Sequence, residues 1–79
     1  PFQDEFSVQY SLPAKTDIRF SLMDLNGRVI YATEKRNQAP GQHSFDLPRE
    51  IMDQLGSGLY FLRGNSELGN ISRKVVKID

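Results

Sequence analysis

Apolar residues recur at every second position over much of the chain. Phe6, Val8, Tyr10 and Leu12 alternate with Ser7, Gln9 and Ser11, the pattern of a strand with one face on a core and the other in water. Pro13 ends that strand, because proline has no N–H to give a ladder. Ile18, Phe20 and Leu22 alternate with Arg19, Ser21 and Met23 and lead into Asp24-Leu25-Asn26-Gly27-Arg28. Asn26-Gly27 predicts a type I′ hairpin turn, whose two central residues both take positive φ, and 28–33 is then the antiparallel return strand. Residues 34–42 mix charges with Asn37 and Pro40-Gly41, show no apolar period, and read as a loop.

His43, Phe45 and Leu47 restart the alternation as a short strand. Between Pro48 and Leu55 the period changes. Ile51 and Leu55 lie four apart with Met52 close to the same face, Pro48 suits a first helical turn, and Gly56 and Gly58 suit a stop, so 48–55 predicts one or two helical turns. Gly58-Leu59-Tyr60-Phe61-Leu62-Arg63 has apolar residues on both faces, as a central strand does. Residues 65–70 read as a turn and 71–78 as a last strand. Six strands, with a seventh where 2–5 pairs, separated by turn signals, predict an all-β antiparallel sandwich or small barrel.

Length and composition narrow the function. The chain has 79 residues and no internal composition shift, so it is read as one domain, 1–79. A core of that size contributes about 3–5 kcal/mol net. There is no cysteine to staple it and the single histidine, His43, cannot build a multi-histidine site, so no metal or other cofactor is expected. Ten Lys plus Arg balance ten Asp plus Glu, which argues against a nucleic-acid footprint or a polybasic membrane anchor. No apolar run approaches the ~20 residues of a membrane span. The opening Pro1-Phe2, with no Met, reads as the end of something longer.

Candidate chemistry is thin. The carboxylates are scattered over turns and polar faces, with no spacing that pairs two of them for hydrolysis. His43 and Ser44 are strand neighbours, so their side chains point to opposite faces and should not meet in a triad with Asp46. Tyr10, Tyr31 and Tyr60 would make a sugar-stacking platform if exposed in a row, but each sits in an apolar-alternating or wholly apolar run, and core packing is the default. Asn70-Ile71-Ser72 matches a glycosylation acceptor that is common by chance, and is read as a turn before a strand. The unusual feature is the basic and apolar end, Arg73-Lys74-Val75-Val76-Lys77-Ile78-Asp79. One reading is a final strand whose lysines guard an edge against aggregation. The other is an end that a partner reads by strand addition backed by charge. Val75 lies on one face and Val76 with Ile78 on the other, so alternation leaves the register open.

The order of Pro1-Phe2, Tyr10-Ser11-Leu12-Pro13, Asp24-Leu25-Asn26-Gly27-Arg28, Gly41-Gln42-His43, Gly58-Leu59-Tyr60-Phe61 and Lys74-Val75-Val76-Lys77 resembles the C-terminal sorting domain, type A-like, of the type IX (Por) secretion system of Bacteroidetes-type bacteria. The resemblance spans almost the whole chain and implies an immunoglobulin-like sandwich excised from a larger cargo protein. It implies a non-catalytic signal that takes an attached N-terminal cargo from the periplasm across the outer membrane, to be secreted or held at the cell surface. The implied partners are the outer-membrane secretion machinery and a sortase-like cysteine peptidase that removes the domain. Lys74, Val75, Val76 and Lys77 match the family's terminal signal, and Asn26, Gly27, Gly58 and Tyr60 are structural turn and core positions. The family commonly opens Pro-Asn-Pro, so the processing site is expected before Pro1, and the 48–55 stretch looks longer than is typical. The competing expectation is a glycan- or protein-binding sandwich, which the same fold supports. Weak homodimerisation through an edge strand is a further expectation.

Overall fold

A computed structural model describes residues 7–77 of the chain, so the expected strand at 2–5, Phe6 and Ile78 lie outside the described residues. The elements run β1 (Ser7–Leu12), β2 (Thr16–Met23), β3 (Val29–Gln38), β4 (Gly41–Asp46), α1 (Arg49–Gln54), β5 (Gly58–Ser66) and β6 (Gly69–Lys77). All pairings are antiparallel: β1 pairs with β4 in one sheet, and the other has the order β3-β2-β5-β6. This is an all-β sandwich. β5 lies between β2 and β6, the central place its two-sided apolar sequence predicts.

The period-two residues face each other across the sandwich. Val8, Tyr10 and Leu12 of β1 and Ile18, Phe20 and Leu22 of β2 are all buried, with Phe45 of β4, Leu62 of β5 and Val75 of β6. The Phe20 and Phe45 rings stack at 4.1 Å between centroids, and Tyr10 meets Phe20 edge-on at 5.4 Å, so aromatic contacts join the two sheets. Helix α1 closes one end by burying Met52, with Leu55 just beyond it.

Three local expectations are corrected. The 24–28 hairpin is not a type I′ turn: Gly27 takes φ 83°, but Asn26 is not among the positive-φ residues. Gly27 N–H donates to Asp24 O at 3.0 Å, making Leu25-Asn26 the turn centre, with Gly27 supplying the left-handed residue of a three-residue loop. The cause is Asp24, whose Oδ1 accepts from the backbone N–H groups of Asn26 at 2.9 Å and Arg28 at 3.0 Å, tying the turn one residue earlier. Second, 34–38 is strand, not loop: β3 runs on to Gln38, and Asn37, at φ 55°, donates its N–H to Asp17 Oδ1 at 2.8 Å across a bulge. Third, β5 extends to Ser66 and β6 starts at Gly69, so the turn shrinks to its tip at Glu67-Leu68 and Asn70 lies within a strand, opposite Asn65.

Candidate functional site

The end of β6 is built by its pairing with β5. Phe61 faces Lys74, Tyr60 faces Val75, Leu59 faces Val76 and Gly58 faces Lys77. Alternation then divides the four terminal residues between two faces. Val75 is 1% exposed and belongs to the core, whereas Val76 is 57% exposed and Lys74 is exposed beside it on the outer face. The register left open by the sequence is thus decided in favour of Val75 inward. The reason is that Leu62 and Tyr60 on β5 already line the core side of that position.

Lys77 reaches beyond its own sheet. Its Nζ donates to the carbonyl oxygens of Met52 at 2.7 Å and Leu55 at 3.4 Å, at the C-terminal end of α1. That end carries unsatisfied carbonyls and negative partial charge, and α1 has no basic residue in its own last turn. A cation from the last strand therefore caps the helix, and the two elements hold each other. No local pattern connects residues 25 apart in sequence, so period and spacing could not have found the contact.

Several of the motif segments converge on this end of the four-stranded sheet. Met23 pairs with both Val29 and Phe61, and Phe61 with Lys74, so the Asp24–Arg28 turn, the start of β5 and the end of β6 are neighbours. Gly58 takes φ 147°, a conformation a side chain would strain, just where β5 begins opposite Lys77. Tyr60 donates its hydroxyl to Gly56 O at 2.8 Å and fixes the chain between α1 and β5. Asp24 is held below the usual carboxylate range, first by the Arg28 backbone N–H and then by the Asn26 N–H and the Arg28 guanidinium, against an opposing effect of desolvation. The Arg28 Nε lies 3.3 Å from Asp24 Oδ2.

Gly41-Gln42-His43 is not brought to this end, since Gly41 pairs with Leu12 at the opposite edge of the sandwich. His43 stacks on Tyr10 at 5.4 Å and donates through Nε2 to Ala39 O at 2.6 Å. Ser44 points the other way, with its Oγ 3.0 Å from that of Ser7 and 3.4 Å from Asp46 Oδ1. Histidine and serine are therefore separated as strand alternation requires. Burial of Tyr10 raises the pKa of its hydroxyl, and Tyr31 and Tyr60 pack against the core. The three tyrosines make no exposed row. A cleft of about 200 Å³ between Leu12, Ile18 and Ile71 opens near the β5–β6 turn, but the Ser66 hydroxyl on its rim is spent on Leu68 N and Gly69 O.

The residue that pattern reading missed within the core is Gly64, which lies in β5 beneath Phe20 and Ile71. A Cβ there would come within 2.9 Å of Ile71 Cγ1 and 3.0 Å of Phe20 Cε1.

No curated protein and no solved structure matches the chain. A family model does: the one described as "Secretion system C-terminal sorting domain" matches residues 1–78. With a two-sheet sandwich that gathers its turn, its central strand and its terminal lysines at one end, the chain belongs to the family of type IX secretion-system C-terminal sorting domains, which are signals and not catalysts.

Proposed function

We propose that the domain carries an attached cargo protein from the periplasm across the outer membrane through the type IX machinery, and that a sortase-like cysteine peptidase then removes it, leaving the cargo secreted or at the cell surface. The terminal segment of Lys74, Val75, Val76 and Lys77 is the part that is read. The observation that carries this reading is the placing of that segment: β6 is the outer strand of its sheet, and Lys74 and Val76 face solvent there. The sandwich acts as a mount for it, with Val75 and Lys77 as the fixings. An exposed edge bearing alternate side chains is a surface that partners recognise.

The test is a fluorescent reporter carrying residues 1–79 at its C-terminus behind a signal peptide, followed in a bacterium with an intact type IX system and in one lacking it. Release into the medium or onto the surface only in the intact strain supports the role. Equal retention of a folded fusion in both strains would refute it.

A further inference from the structure

The outer face of the four-stranded sheet bears an apolar patch that the core does not explain. Leu59 lies opposite Val76, and Phe61 opposite Met23. A bulge between Leu22 and Met23 sets Val29 and Ile30 against Met23 from the other side. Val29, Ile30 and Val76 are 53%, 40% and 57% exposed, and Met23, Leu59 and Phe61 are half-buried by one another. Such a contiguous patch on a small domain marks an interaction surface.

The charged side chains that border it along β5 and β6 are basic. Lys74 stands directly across from Phe61, and Arg63 follows two residues along β5 on the same face, both exposed. The acids Asp17, Glu34 and Glu67 gather around Arg19 at the far end of the face, where Arg19 pairs with Glu34, and Asp24 at the patch margin is consumed by its own turn. A chain of zero net charge thus presents a positive rim on the β5–β6 side of the patch, through Lys74 and Arg63.

Resting on the sorting role, we propose that this face is the docking surface for a protein subunit of the export machinery whose complementary surface is apolar at its centre and acidic at its rim. Lys74 and Val76 are the parts of the terminal segment that touch it, whereas Val75 and Lys77 act only by holding the strand. A protein fits better than a lipid surface. The cations are single and spaced between Ser21, Ser72 and Asn65, not clustered, and the chain has no Trp to seat at a membrane interface.

The experiment compares release of the reporter fusion for the unaltered chain, for Leu59→Thr/Phe61→Thr/Val76→Thr, and for Arg63→Glu/Lys74→Glu. Threonine keeps the strand preference, and the charge reversal touches only exposed groups. Melting of each purified chain is followed by circular dichroism. The expected result is a loss of release of at least about tenfold for both variants, with the reversal variant melting as the unaltered chain does. If the unaltered chain itself shows no system-dependent release, the sorting role falls. If it is released and the reversal variant is released equally well, the acid-rimmed partner is overturned and the sorting role stands. Cosedimentation of the unaltered chain with vesicles of anionic phospholipid, lost in the reversal variant, would overturn the proposal in favour of a membrane surface. A dimer in sedimentation velocity that the triple variant abolishes would overturn it in favour of a second copy.

Discussion

Asp24 carries more of the hairpin than its place in a surface turn suggests. Its carboxylate accepts two backbone N–H groups and the Arg28 guanidinium, and these favour the charged form. Its folded pKa is therefore below the unfolded one. The stability it contributes is present in full above the ordinary carboxylate value of about 3.9 and is lost as pH falls through the lower folded value. Asp24→Ala should lower the melting temperature at neutral pH, and the difference between the two chains should shrink on acidification below about pH 4. A difference independent of pH would remove the charge from the explanation. Gly64 makes a second case at this scale. Phe20 above it is wholly buried and stacked on Phe45, so the ring cannot retreat from an added methyl. Gly64→Ala should cost about 1–3 kcal/mol, read as a lowered urea midpoint with unchanged slope. The alternating pattern points to residues that fill a core and says nothing of one that must be absent.

At the scale of elements, what could be read from the sequence follows what is buried on one side only. β1 and β2 alternate cleanly because one face meets the core, whereas β5, between β2 and β6, reads as apolar on both faces because Leu62 enters the core and Leu59 and Phe61 join the outer-face patch. The second half of β3 is an edge segment with polar side chains on both faces, Thr33 to Gln38, so it has no apolar period and yet pairs with β2 through its backbone. Its charges suit an edge, since Lys35 on the inner side blocks a further strand while its Nζ lies 6.0 Å from the Phe45 ring. The site was legible in the same partial way. The basic and apolar character of the last strand is plain in the sequence, but the division between Lys74 and Val76 outward and Val75 and Lys77 inward depends on the partner strand and on α1. The Lys77 contact gives a direct prediction. Lys77→Met should cost about 1–2 kcal/mol, the worth of a partly buried helix-end cation with charged hydrogen bonds. It should also speed amide exchange in α1 before the sheet loosens. An unchanged melting curve with unchanged α1 protection would show that the cap contributes nothing.

For the whole molecule, the placing of the proposed signal inside the last strand constrains how that proposal can be tested. Removing 74–79 looks like a clean deletion of the segment proposed to be read, but it also takes Val75 out of the core and the Lys77 cation off α1. Burying a valine is worth about 1.5–3 kcal/mol and the cap about 1–2 kcal/mol, against a net of about 3–5 kcal/mol for a domain of this size. The two losses together match the whole margin, and the start of β5 would lose its neighbour as well. The chain ending at Arg73 is therefore expected to lack a cooperative thermal transition at 25 °C and above by near- and far-ultraviolet circular dichroism, and its failure to be exported would report unfolding as readily as loss of the signal. Lys74→Glu, which changes an exposed outer-face group, should keep the transition and still reduce export. If instead the truncated chain melts cooperatively within a few degrees of the full chain, β6 is not integral beyond Arg73, and the signal would have to be treated as a tail appended to the sandwich and not as one of its strands.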